Sequence, residues 1–207
     1  GFPFTVGYGM TECAPIITYD DWKEEKLYSC GKAAPNMEVR IASADSVNIP
    51  GEIQVKGANV FLGYYKNETA TSEVLTEDGW FRTGDMGVLD ADGSLFIKGR
   101  TKCMILGPSG QNIYPEEVET VLNSQPYVVD SLVIEDDGGL TALIYPDFQQ
   151  GAKDGMDQRT FLQYIKDQLP EWNKELPNYA KLKKIEVMSE DFERTPKKSI
   201  KRYLYQR

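Results

Sequence analysis

The sequence contains no histidine. Within these 207 residues this excludes a histidine general base, a serine or cysteine triad built on histidine, and any histidine metal ligand. Cysteine is nearly as scarce. Cys13, Cys30 and Cys103 are odd in number and far apart. They form neither a disulfide framework nor a zinc-ligand pattern, and they read as free thiols of a reducing compartment. No run of ~18 apolar residues occurs, so no segment reads as a transmembrane helix. Positive charge is also in deficit. The chain has 23 Lys and Arg against 32 Asp and Glu, a net charge of −9. That balance disfavours non-specific nucleic-acid binding, which needs clustered cations.

What is present suffices for one or two compact domains. Hydrophobic residues make up 41% of the chain and aromatics 11%, too much apolar surface for disorder. The charge is unevenly spread. From Arg194 to the last residue, Arg207, there is no acid, while Arg194, Lys197, Lys198, Lys201, Arg202 and Arg207 are all cationic. Such a tail is either an ordinary solvated end or a device for meeting an anionic ligand.

The first half reads as short strands and turns. Met37, Val39 and Ile41 alternate with polar residues, as do Ile53 and Val55 after the Ile49-Pro50-Gly51 turn. Asp90-Ala91-Asp92-Gly93 between Met86–Leu89 and Ser94–Lys98 is a hairpin signal. Closely spaced strands of this kind predict a small barrel-like subdomain or a distorted sheet. The character changes after Gly99-Arg100-Thr101-Lys102. Pro115 suits the first position of a helix, with Glu116 and Glu117 at its positive end and Val118, Val121 and Leu122 at helical spacing. Strands are expected over Val128–Ile134 and Leu140–Tyr145. Asp157 can cap a helix whose inner face is Phe161, Ile165 and Leu169. Leu182–Met188 reads as a last strand. The expected class is α+β, with a domain boundary near 99–103.

Three clusters carry chemistry. In Tyr8-Gly9-Met10-Thr11-Glu12 the glycine permits close backbone approach, and Thr11 offers a hydroxyl to a phosphate oxygen. Glu12 could hold Mg²⁺, with phosphates and waters completing its shell, and Tyr8 could stack on a base. In Phe81-Arg82-Thr83-Gly84-Asp85 an Asp fixed beside a glycine can accept both hydroxyls of a ribose, although a plain Asx turn reads the same way. Gly51-Glu52-Ile53 through Gly57 and Gly63-Tyr64 looks structural in either reading. The third cluster is Gly99-Arg100-Thr101-Lys102, followed by Gly107, Gly110 and Asn112-Ile113-Tyr114-Pro115-Glu116-Glu117-Val118-Glu119.

Together, in this order and spacing, these clusters resemble the adenylate-forming enzymes: acyl-CoA synthetases, luciferase and the adenylation domains of peptide synthetases. The family pattern matches at residues 8–12, 51–64, 82–85, 99–102 and 110–119. The wording of residues 112–117 looks most like the long-chain fatty-acid–CoA ligase branch. The resemblance implies a ligase that activates a carboxylate with Mg·ATP to acyl-AMP and pyrophosphate, then passes the acyl group to coenzyme A as a co-substrate. It implies that Tyr8, Gly9, Thr11, Asp85 and Arg100 bind the nucleotide and that Glu12 serves Mg²⁺. By the same resemblance Thr11 counts among the catalytic residues, Lys102 sits at a hinge spanning 99–103, and Gly110 lines the CoA passage. Residues 1–98 would end a large N-terminal domain, including the barrel-like part, and residues 99–207 would form a mobile C-terminal domain.

Two departures from the family pattern follow. The family's Ser/Thr/Gly-rich phosphate loop is absent from these residues. The chain is therefore expected to be a C-terminal fragment, inactive when isolated, whose partners include the upstream remainder of its own chain. The family also carries a lysine followed by Ile or Val, one residue and Arg. Here Ser199-Ile200-Lys201-Arg202 places Ser199 at that position, and Lys198 beside it is taken as the catalytic cation. Alternatives are an adenylation unit loading a carrier protein, or a degenerate nucleotide-binding module. The expected compartment is cytoplasmic, with peripheral membrane association left open.

Overall fold

The computed structural model describes residues 2–107 and 110–207. The chain divides into two compact units, one reaching to Lys102 and one from Cys103 to Arg207. In the first, β1 (Gly7–Gly9), β2 (Ile16–Tyr19) and β3 (Lys32–Ala33) form a three-stranded antiparallel sheet. β4 (Met37–Ala42), β5 (Gly51–Gly57), β6 (Phe81–Leu89) and β7 (Leu95–Arg100) form a four-stranded antiparallel meander. The alternation seen in the sequence has its physical cause here. Met37, Ile41, Ile53 and Val55 point into one cluster with Tyr8, Cys13, Ile17, Phe81 and Leu95, and Val39 packs against it. The β6–β7 turn closes where Asp90 Oδ1 accepts from the backbone N–H of Asp92 and Ser94, at 3.1 and 3.0 Å. Among the described residues the strands make several small sheets rather than a closed barrel.

Helix α1 (Glu68–Val74) was not expected. It buries no residue, so it has no apolar stripe to read. Its start is set by Asn67, whose side chain accepts from the Ala70 N–H at 3.0 Å.

The second unit opens with a short hairpin, β8 (Ile105–Leu106) and β9 (Asn112–Ile113), and then α2 (Pro115–Asn123) with Pro115 at its start. β10 (Val128–Asp136) and β11 (Gly139–Pro146) pair antiparallel. After α3 (Phe148–Lys153), α4 (Gln158–Asp167) and α5 (Leu169–Glu175), β12 (Leu182–Val187) joins β11 in parallel. The α+β class expected from the sequence is the class observed.

The middle of the β10–β11–β12 sheet is buried on both faces, which is why Leu132–Ile134 of β10 and Leu140–Ile144 of β11 read as largely apolar runs, while Lys183 and Lys184 of the edge strand β12 are exposed. One face carries Val133, Ala142, Ile144 and Ile185 against Val118, Leu122, Phe161, Ile165 and Trp172. The other carries Leu132, Ile134 and Leu143 under Phe192, with Ile200 and Tyr205 packed beside them. Leu169 departs from the expected helix face. Asp157 caps α4 by accepting from the Thr160 N–H at 2.9 Å, but that helix ends before Leu169, which opens α5 with a proline in its first turn. Pro170 has no N–H to continue the preceding helix and suits the start of a new one.

The C-terminal residue is tied to the edge of this sheet. Arg207 donates to Glu186 Oε2 at 2.6 Å and to Asp136 Oδ2 at 3.0 Å. The Arg207 guanidinium, with Lys184, holds the Glu186 carboxyl down at about 2 against an ordinary value of 4.5. A depressed carboxyl stabilises the fold above its ordinary value, and this contribution is lost as pH falls from 4.5 toward about 2. Solvent screening leaves ~1 kcal/mol or less. Urea unfolding at pH 7 and at pH 3 should show an acid loss that shrinks in Glu186→Gln. An unchanged acid loss in that variant would place it elsewhere.

Candidate functional site

The first unit brings Tyr8, Thr83, Asp85 and Arg100 together. Asp85 and Arg100 are cross-strand partners on β6 and β7. Across β5 and β6 the pairs Glu52–Met86 and Gln54–Arg82 leave Ile53 alone opposite Thr83, Gly84 and Asp85. This is a bulge, a device that re-aims side chains at a sheet. Gly84 sits in it at φ +73°, where a side chain would strain the backbone. Thr83 Oγ1 donates to the Ile53 carbonyl at 2.8 Å and accepts from the Asp85 N–H at 3.1 Å. The Arg-Thr-Gly-Asp run is thus a bulged strand, not an isolated turn.

Asp85 is only 7% exposed, and each of its carboxylate oxygens has one partner and further acceptor capacity. The Tyr8 hydroxyl donates to Oδ2 at 2.7 Å, and Arg100 Nε lies 3.2 Å from Oδ1. Burial, and then the charge of Asp85, push the Tyr8 phenol far above its usual value, so it remains a donor. A buried carboxylate carrying a hydrogen bond and a cation is oriented before any ligand arrives. Arg100 is exposed and can shift toward an incoming group.

Glu12 lies in a single 3₁₀ turn, Thr11–Cys13, whose N-cap residue Met10 makes no side-chain cap bond. Thr11 is exposed at its start. Gly9 has a reason internal to the fold. A Cβ there would lie 2.1 Å from the Pro15 carbonyl oxygen, so the β1–β2 connection requires glycine irrespective of any ligand. Glu12 Oε1 accepts from the Tyr64 hydroxyl at 3.2 Å. Tyr64 read as structural in the sequence, and no local signal marks it.

The remaining expected residues lie apart from this cluster in the chain. Lys102 is exposed in the 3₁₀ turn Thr101–Cys103. Gly110 is at φ +79°, and its N–H donates to the Gly107 carbonyl at 2.9 Å. Lys198 is exposed at φ +65° in a turn closed by the Thr195 N–H on the Ser199 carbonyl at 2.8 Å. Arg194 donates to the Lys198 carbonyl at 3.2 Å and to Asp130 at 2.6 Å, so the turn is anchored to β10. Lys197 and Ser199 are also exposed there.

Comparison with known proteins agrees with the motifs. The model of the AMP-binding enzyme family matches residues 1–65, and that of the AMP-binding enzyme C-terminal domain matches residues 104–207. The indoleacetate–CoA ligase of Aromatoleum aromaticum is 41% identical over 140 residues, which is 65% of this chain and 27% of that protein. The 2-succinylbenzoate–CoA ligase of Bacillus subtilis is 43% identical over 63% of this chain and 28% of its own length. For a long-chain-fatty-acid–CoA ligase of Yersinia pestis the figures are 42%, 62% and 23%. The chain thus spans about a quarter of the length of these curated relatives. The structure of O-succinylbenzoate coenzyme A synthetase from Bacillus subtilis with ATP and magnesium ion superposes with a TM-score of 0.82. It is 32% identical, and the match covers 98% of this chain and 41% of that one. Sequence order, fold and domain models converge: the chain belongs to the AMP-binding enzyme family, the adenylate-forming enzymes that include the acyl-CoA ligases.

Proposed function

We propose that the protein carrying this chain is an acid–thiol ligase. It joins a carboxylate to the α-phosphate of ATP, releasing pyrophosphate, and then transfers the acyl group from AMP to the thiol of coenzyme A. The observation that carries this reading is Asp85, buried and pre-oriented between Tyr8 and Arg100. Its oxygens accept the ribose hydroxyls, Arg100 reaches the same sugar, and the ring of Tyr8 packs on adenine. Thr11 donates its hydroxyl to a phosphate oxygen. Residues 99–103, with Lys102, form the hinge about which residues 99–207 move as a C-terminal domain, following residues 1–98 of the N-terminal one. Gly110 lines the pantetheine passage in the second state.

Glu12 fits a magnesium ion of the kind that enters with a nucleotide. Among the described residues there is no group of three or more acidic or cysteine ligands. One half-buried carboxylate beside phosphates and waters is the donor set that such an ion takes. When bound, it would neutralise charge on the triphosphate. Because the phosphate loop of the family lies outside these residues, the isolated chain does not form acyl-AMP. An enzyme of fatty-acid metabolism is the reading favoured by the wording of residues 112–117 and by the long-chain ligase among the relatives. Indoleacetate and succinylbenzoate in the names of other relatives make aromatic acids the competing substrate class.

Ser199 at the family's lysine position favours a second reading, a nucleotide-binding module that has lost adenylation. Pyrophosphate exchange by the full-length protein with a panel of aliphatic and aromatic acids separates the two. Exchange strongest with acids of ten or more carbons, followed by CoA thioester formation, is expected. Exchange with no acid would leave only the second reading. Acyl transfer to a carrier protein and not to CoA would replace the acceptor.

A further inference from the structure

We propose that Tyr64 is the residue that positions the Glu12 carboxylate for a divalent cation, acting from the segment between Gly57 and Asn67 that straps the Glu12 turn to the sheet. This rests on the magnesium role of Glu12 stated above. The 3₁₀ turn that carries Glu12 lacks a side-chain cap of its own, so its orientation must come from elsewhere in the fold. Four hydrogen bonds from one segment supply it. Asn59 Nδ2 donates to the Cys13 carbonyl at 2.6 Å and to the Ile16 carbonyl at 3.1 Å. The Phe61 N–H donates to the Glu12 carbonyl at 2.8 Å. The Tyr64 hydroxyl donates to Glu12 Oε1 at 3.2 Å. The first three fix the backbone, and the last fixes the carboxylate.

The strap is itself held. The Tyr64 N–H donates to Thr71 Oγ1 at 2.9 Å, in the middle of α1. The Tyr64 ring meets Phe61 edge-on at 4.9 Å, and Phe61 meets Phe81 at 5.3 Å, at the first residue of the strand that carries Asp85. The hydroxyl therefore approaches Glu12 from a fixed direction. It engages one carboxylate oxygen and leaves the other to a cation, as partners behind metal ligands do.

Tyr64→Phe keeps the ring contacts and removes only the hydroxyl. In the full-length protein, the magnesium concentration giving half-maximal pyrophosphate exchange should rise about three- to tenfold, with little change in the rate at saturating magnesium. Independently of activity, the protein labelled on its tyrosine rings should show one ring resonance, absent from Tyr64→Phe, whose chemical shift moves in Glu12→Gln because its hydrogen-bond partner changes. An unchanged magnesium half-saturation in Tyr64→Phe, or a Tyr64 resonance indifferent to Glu12→Gln, overturns the proposal. A wild-type protein without exchange overturns the ligase reading instead, and the resonance alone then decides the contact.

Discussion

Alanine at position 198 should lower pyrophosphate exchange by the full-length protein roughly 10²–10³-fold, the loss expected when a cation that stabilises developing phosphoryl charge is removed. Thioester formation from supplied acyl-AMP should be spared, because the hinge motion proposed between the two half-reactions carries Lys198 away from the nucleotide before the thiol attacks. The backbone makes this a clean test. Lys198 holds φ +65°, and alanine carries the same steric penalty there as lysine, so the comparison isolates the ammonium group. The turn should persist, since its closure uses the main chain of Thr195 and Ser199 and the Arg194 side chain on a main-chain carbonyl. Lysine at position 199 supplies the second arm. Ser199→Lys in the Lys198→Ala background should recover most of the exchange if the family's register is the productive one. Equal loss in both half-reactions, or full exchange by Lys198→Ala, would remove Lys198 from the chemistry.

The largest expected effect on stability belongs to Glu119. This residue of α2 faces inward and is 8% exposed. Its Oε1 accepts from the Val133 N–H at 2.7 Å, and its Oε2 accepts from Arg202 in the last 3₁₀ turn of the chain. The pair ties helix, sheet and C-terminal segment together. Glu119→Leu leaves the mostly buried Arg202 guanidinium with only the longer 3.8 Å contact to Glu116 and the Val133 N–H without its acceptor, and should cost ~3 kcal/mol. Arg202→Leu strands the carboxylate at a similar cost. The double variant should lose only ~1–2 kcal/mol, since one orphaned N–H remains and no unpaired charge does. Urea unfolding of the four proteins measures the coupling, and strictly additive losses would show that the pair does not act as a unit. Acidity adds a signature. Burial pushes the Glu119 carboxyl up even with Arg202 beside it. A raised carboxyl favours the fold below its ordinary value of 4.5 and loses that contribution as pH rises through the folded value. The Arg202→Leu deficit should therefore be smallest in acid and grow toward neutrality.

This pair has a functional bearing through the chain's order. Arg202 follows the Arg194–Ile200 hairpin that displays Lys197, Lys198 and Ser199. Arg194 on Asp130 secures the near side of that hairpin, and Arg202 on Glu119 secures the far side. The basic tail read from composition is therefore not a loose solvated end. Four of its six cations, Arg194, Lys201, Arg202 and Arg207, are in ion pairs with Asp130, Glu193, Glu119 and Glu186. Lys197 and Lys198 stand exposed at its turn.

Local chemistry was legible from residue order alone. Alternation put Met37, Ile41, Ile53 and Val55 inside, and Pro115 and Asp157 marked the starts of two helices. The absence of histidine excluded whole reaction classes, and the motif order pointed to the family to which the chain belongs. These signals are readable because periodicity, capping and turn chemistry act over a few residues. Where a signal was weak the reading failed locally. Helix α1 buries nothing and so shows no stripe, and Pro170 broke the helix face that had been extended to Leu169.

What only the folded chain decided lies at long separation. The Tyr8–Asp85 bond joins residues 77 apart, Tyr64–Glu12 joins residues 52 apart, and Glu119–Arg202 joins residues 83 apart. No propensity encodes such contacts, because each depends on strands and turns that first bring distant segments within hydrogen-bond range. The residue types at the candidate site were therefore determined by the sequence. Their aim was determined by the β6 bulge, the Gly57–Asn67 strap and the anchored C-terminal turn, since direction is a property of packed backbone and not of residue order.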